Sequence, residues 1–122
     1  MNNPLSILVV EDNYEFRQLL TEALHLFNHE VKQAESAEVA LAILKDENFD
    51  MIFSDVNMGD MNGVEMAQKI REFDSEVPII ILTGNSDRSL ITQSLENGVN
   101  DYILKPLQIK DLPIIIDRNI KA

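Results

Sequence analysis

The stretch Phe49-Asp50-Met51-Ile52-Phe53-Ser54-Asp55 decides how this chain folds. Met51-Ile52-Phe53 is an apolar run, too short for a helix and flanked by polar residues, so it reads as a buried strand. Asp55 stands where that strand stops. A carboxylate at the end of a buried strand is poorly solvated and needs cations or hydrogen-bond donors nearby. Other apolar runs end in suitable partners. Ile7-Leu8-Val9-Val10 precedes Glu11-Asp12, Ile79-Ile80-Ile81-Leu82 precedes Thr83, and Tyr102-Ile103-Leu104 precedes Lys105-Pro106. If these strands are parallel, their C-terminal ends share the sheet edge where open α/β folds hold ligands. Three carboxylates, a hydroxyl and an ammonium are then expected in one crevice.

The segments between the strands read as helices. After strand 1 (Ile7 to Val10), Asp12 or Asn13 can cap a helix whose apolar face carries Phe16, Leu19, Leu20, Ala23, Leu24 and Phe27. His25 and His29 follow at its end, with no adjoining third ligand that would make them a metal site. Val31 to Ala34 is a weak, mostly polar strand that suits a sheet edge. Ser36 can cap a second helix with Val39, Ala40, Ile43 and Leu44 inward. The loop from Val56 to Gly63 leads to a third helix with Val64, Ala67, Ile70 and Phe73, and Pro78 opens the next strand. Ser86 or Asp87 can cap a fourth helix (Leu90, Ile91, Leu95), which stops at Asn97-Gly98. Strand 5 runs from Asp101 to Leu104. Pro113 is harmless only in a first helical turn, so the last helix starts near Asp111 as its cap, with Leu112, Ile115, Ile116 and Ile120 facing the sheet. Strand and helix alternate throughout, which means a parallel sheet with helices on both faces and right-handed crossovers.

At 122 residues the chain is read as a single domain, 1–122, with no output domain after its last helix. Its 45% hydrophobic content is ordinary for a globular protein. A formal net charge of -11 argues against binding nucleic acid, whose phosphates demand basic surface. The absence of cysteine excludes disulfides and thiol chemistry and fits a cytoplasmic location. No stretch has the length of an apolar membrane span, and Met1-Asn2-Asn3-Pro4 lacks the regions of a signal peptide.

Glu11, Asp12 and Asp55 cannot all remain ionised in one pocket without a cation. Carboxylate oxygens with room for water are what Mg²⁺ prefers. The ion would leave Asp55 ionised as a nucleophile. Lys105 adds a positive charge and Thr83 a donor, while Gly84 leaves space beside Thr83. This set fits transfer of a phosphoryl group onto Asp55, with metal and lysine absorbing the charge of its equatorial oxygens.

Over nearly its whole length the chain resembles a response regulator receiver domain of two-component signalling. The resemblance is carried by Ile7-Leu8-Val9-Val10-Glu11-Asp12-Asn13, Asp55-Val56-Asn57-Met58, Met61-Asn62-Gly63, Pro78 to Gly84, and Gly98 to Pro106. It implies a flavodoxin-like five-stranded parallel sheet of order 2-1-3-4-5. It also implies that Asp55 is the phosphoacceptor for a histidine kinase or phosphotransfer protein. Glu11, Asp12, Asp55 and the backbone carbonyl of Asn57 would hold Mg²⁺, for which Mn²⁺ could substitute. Thr83 and Lys105 would bind the phosphoryl oxygens, and the Lys105-Pro106 bond would be cis. Asn57 and Asn85 would flank the hydrolytic water. Thr83 and Tyr102 would act as the switch that alters the surface of helix 4, strand 5 and helix 5 toward a downstream partner or a second copy. The chain departs from the family at Gly59, where proline is common.

Other readings fit less well. A degenerate receiver that binds partners without phosphate would lack a pocket residue, and none is missing. A flavin module would need a hydroxyl-rich loop after strand 1 in place of Glu11-Asp12. An aspartate-nucleophile phosphatase would carry Asp-x-Asp, whereas this chain has Asp55-Val56-Asn57. The expectation is a phosphoacceptor that assists its own phosphotransfer, with no turnover of an external substrate.

Overall fold

Met51–Asp55 forms strand β3, buried along its whole length. In the computed structural model, which describes residues 4–59, 61–84 and 88–120, the chain alternates around it. The order is β1 (Ser6–Val10), α1 (Tyr14–Leu26), β2 (Glu30–Ala34), α2 (Ala37–Asp46), β3, α3 (Gly63–Arg71), β4 (Ile79–Thr83), α4 (Arg88–Glu96), β5 (Asp101–Leu104) and α5 (Leu112–Asn119). All strands are parallel in one sheet of order β2-β1-β3-β4-β5, the order that the resemblance implies.

Strand side chains alternate between the two faces, so each strand feeds two cores. Leu8, Val10, Ile52 and Ile81 pack with Ala40, Ala67 and Ile70 of α2 and α3. Ile7, Val9, Phe53, Ile80 and Leu82 pack with Leu20, Leu24, Ile115 and Ile116 of α1 and α5. Each such valine, leucine, isoleucine or phenylalanine side chain, removed from water, contributes roughly 1.5–3 kcal/mol. Double-sided burial explains the unbroken apolar runs of β1, β3 and β4. Edge strand β2 alternates exposed and half-buried positions instead.

The helix starts are set by local chemistry. Asn13 Oδ1 accepts the Phe16 N–H at 2.8 Å, so Asn13 caps α1 and leaves Asp12 outside the helix. Ser36 Oγ accepts the Val39 N–H at 3.1 Å. Asn62 and Glu65 form a reciprocal capping box that opens α3. Gly98, at φ +102, ends α4 in a conformation that other residues rarely adopt.

Several expectations about helix faces need correction. Leu19, Val39 and Ile120, expected on inward faces, are exposed, as are Phe73 and Leu95. Phe73 and Ile120 lie past the ends of α3 and α5. Leu19, Val39 and Leu95 lie within their helices on surface turned to solvent. Met66 and Ser94 are buried in their place; Ser94 satisfies its hydroxyl by donating to the Leu90 carbonyl at 2.6 Å. Asp111 occupies the N-cap position of α5 but makes no side-chain cap. A 3-10 turn, Ile109–Asp111, leads into the helix and takes over that role. Ser86 and Asp87, expected to cap α4, lie outside the described residues.

Candidate functional site at the strand ends

Strand register brings the polar strand ends to one level. Val10 pairs with Ser54, Asp55 with Leu82, and Thr83 with Leu104. Glu11, Asp55, Thr83 and Lys105 therefore line the same edge of the sheet, as their positions after apolar runs lead one to expect. Glu11, Asp12 and Asp55 each place a carboxylate oxygen within 4.8 Å of the others. Lys105 Nζ stands 3.3 Å from Asp55 Oδ1. Thr83 is buried, and its hydroxyl donates to the Gly84 carbonyl at 3.4 Å. Asn57 is exposed on the following loop and donates its backbone N–H to Asp55 Oδ1 at 3.4 Å.

The charge balance of the pocket favours a cation. Glu11 is only 2% exposed; its Oε2 accepts the Asn13 N–H at 3.0 Å, while its Oε1 is buried without a hydrogen-bond partner. Burial pushes the Glu11 carboxyl up to about 7, and the neighbouring Asp55 charge adds to the push against the opposing Asn13 N–H and Lys105. An all-oxygen donor set with one orphaned buried oxygen fits a hard divalent ion such as Mg²⁺.

Three supports of the site carry no obvious chemical motif. Arg17 Nη1 donates to the Glu11 carbonyl at 2.7 Å and its Nε to Gln33 Oε1 at 2.9 Å, pinning the end of β1 to α1 and β2. A Cβ at Gly63 would lie 2.9 Å from the Asp55 carbonyl oxygen and 3.2 Å from Val56 Cα, so only glycine lets α3 start against the end of β3. Lys105 Nζ also lies 4.9 Å from the centroid of the Phe16 ring. A helix-opening glycine is at least a visible signal, but the roles of Arg17 and Phe16 depend on contacts between distant segments.

The remaining site candidates fall as follows. The Lys105-Pro106 bond is cis. Gly59 has φ +25, which proline cannot reach, so the loop takes a course that the family's usual residue would forbid. Tyr102 is 37% exposed and lines a cleft of about 360 Å³ with Arg88, Ile91, Thr92 and Leu104. Asn85 lies outside the described residues. His25 and His29 do not act together: His25 is exposed, and His29 Nδ1 accepts the Leu5 N–H at 3.0 Å. Among the described residues, no helix is long and apolar enough to cross a membrane.

Comparison with known proteins shows the family and agrees with the fold. The profile of the response regulator receiver domain matches residues 7–117. The transcriptional regulatory protein AfsQ1 of Streptomyces coelicolor is 34% identical over 117 residues, covering 96% of this chain and 50% of that protein. The response regulator protein FleR of Pseudomonas aeruginosa is 32% identical over 113 residues, covering 93% of this chain and 24% of FleR. The chain thus spans half or less of these relatives. Among solved structures, a putative response regulator from Chloroflexus aurantiacus superposes with a TM-score of 0.90 at 27% identity, covering 95% of this chain and 97% of that one. The Vibrio cholerae chemotaxis protein CheY4 gives 0.87 at 28% identity, covering 97% and 100%.

Proposed function

The chain belongs to the response regulator receiver family of two-component systems, and from that premise we propose that Asp55 accepts a phosphoryl group and makes the domain a phosphorylation-dependent signalling switch. The donor is a histidine kinase or phosphotransfer protein. The observation that carries this reading is the Lys105 ammonium 3.3 Å from an Asp55 carboxylate that also faces Glu11 and Asp12. Asp55 attacks the phosphorus of a phosphohistidine. The new O–P bond forms as the P–N bond breaks, and the imidazole leaves with the electron pair. The product is an acyl phosphate on Asp55. The chain modifies itself and turns over no external substrate.

Glu11, Asp12, Asp55 and the Asn57 backbone carbonyl would hold Mg²⁺, or Mn²⁺ in its place. When bound, the ion offsets the carboxylate charges and those of the incoming phosphoryl oxygens. Lys105 takes one phosphoryl oxygen. Thr83 takes another, exchanging its long bond to the Gly84 carbonyl for a charge-assisted one. Strand alternation puts Thr83 on the face covered by α4, the same face as Tyr102, whose register partner is Ile81. Movement of Thr83 therefore opens space on the side toward which Tyr102 can turn. The α4–β5–α5 surface then changes, and a downstream protein or a second copy reads it. Asn57, two residues beyond Asp55, would flank the water that ends the signal.

Incubation with acetyl phosphate, with and without a chelator, tests this reading. Label that requires Mg²⁺ is expected. A chain that stays unlabelled in millimolar Mg²⁺ would favour a phosphate-independent binding module instead.

A further inference from the structure

We infer that Phe16 is a positioning residue for the phosphoryl transfer, its ring face holding the Lys105 ammonium over the Asp55 pocket. This rests on the reading of Asp55 as acceptor. Alternation along β5 sends Ile103 into the core shared by α1 and α5, so Lys105, two residues on, emerges on the same face. That face is where α1 begins. Phe16 lies in the first turn of α1, half-buried against the same core, with its backbone N–H fixed by the Asn13 cap at 2.8 Å. The ring meets the ammonium 4.9 Å from its centroid, while the same Nζ stands 3.3 Å from Asp55 Oδ1.

The two attractions differ in kind. The pull of Asp55 on Lys105 passes from the free carboxylate to the phosphoryl oxygens when phosphorylation consumes that carboxylate. The pull of the aromatic quadrupole does not depend on the state of Asp55. A lysine with its side chain 34% exposed has many rotamers open to water, and ordering it costs entropy. Phe16 restricts that freedom before the donor arrives and keeps the ammonium beside the phosphoryl oxygens afterwards. Leucine or methionine would fill the space without the ring's negative face.

Acetyl phosphate separates this role from any part Phe16 plays in meeting a protein donor. The Asp55 O–P bond forms as the donor's P–O bond breaks, and acetate leaves with the electron pair. Phe16→Leu and Phe16→Met are expected to lower the labelling rate at saturating donor by about two- to fivefold. Phe16→Tyr should retain the parent rate. In a Lys105→Ala background Phe16→Leu should change nothing further. The ε-methylene protons of Lys105 should show an upfield ring-current shift in the parent and in Phe16→Tyr, lost with leucine or methionine. Equal slowing in both lysine backgrounds, or no ring-current shift in the parent, would overturn the inference. A labelled parent with an unchanged rate in Phe16→Leu would overturn the role of Phe16 alone. An unlabelled parent would overturn the acceptor reading with it.

Discussion

Lys105 Nζ reaches to within 3.3 Å of Asp55 Oδ1 across a strand that belongs to neither, since β4 lies between β3 and β5. The pair therefore bridges the end of β4, where Thr83 stands. Positive charge is already in place where phosphoryl oxygens would develop negative charge, and such preorganised groups contribute most to rate. Lys105→Ala is expected to slow labelling of Asp55 by roughly 10- to 1000-fold, with Lys105→Arg in between. An alanine variant that labels at the parent rate would remove the ammonium from the chemistry.

The close approach at Gly63 gives a stability prediction. A methyl group there would press on the Asp55 carbonyl oxygen and on Val56 Cα, both backbone atoms with little room to move. Gly63→Ala should cost roughly 1–3 kcal/mol, seen as a lower urea midpoint, and should slow labelling because Asp55 shifts with its backbone. An unchanged midpoint would show that α3 can retreat without penalty.

His29 should make stability depend on pH. Its Nδ1 accepts the Leu5 N–H, and burial lowers its pKa from the ordinary 6.5 against an opposing pull from Asp117. The unfolded chain then binds a proton that the folded chain resists, so stability is complete above 6.5 and is lost as pH falls toward the folded-state value. Tm should fall between about pH 7 and about pH 5, with a shallower slope in His29→Gln. Identical slopes would assign the dependence to other groups.

Tyr102 is expected to transmit the signal without creating it. Tyr102→Ala should label normally yet show much smaller phosphorylation-dependent amide shifts in α4. Shifts equal to those of the parent would make Tyr102 an ordinary half-exposed aromatic.

The clustering of the candidate site was legible in the sequence because Glu11, Asp12, Asp55, Thr83 and Lys105 each stand within two residues of the end of an apolar run. Asp55, Thr83 and Lys105 needed only the assumption of parallel strands to be brought together, and the register bears that assumption out. Periodicity was less informative about helix margins. It counts Leu19, Val39 and Leu95 as apolar, but all three are exposed. It misses Ser94, whose polarity is cancelled within its own helix. Arg17 and Phe16 were illegible for a different reason. Each acts on a residue whose position is fixed by the sheet, and nothing local to α1 shows what faces it.

The most direct test of Asp55 as phosphoacceptor compares the parent with Asp55→Asn after incubation with acetyl phosphate and Mg²⁺, by intact mass followed by peptide mapping. The parent should gain one phosphoryl group on the peptide that contains Asp55, and the folded Asn variant should gain none. A variant that still gains the group, or a parent that carries it on another residue, would contradict the assignment.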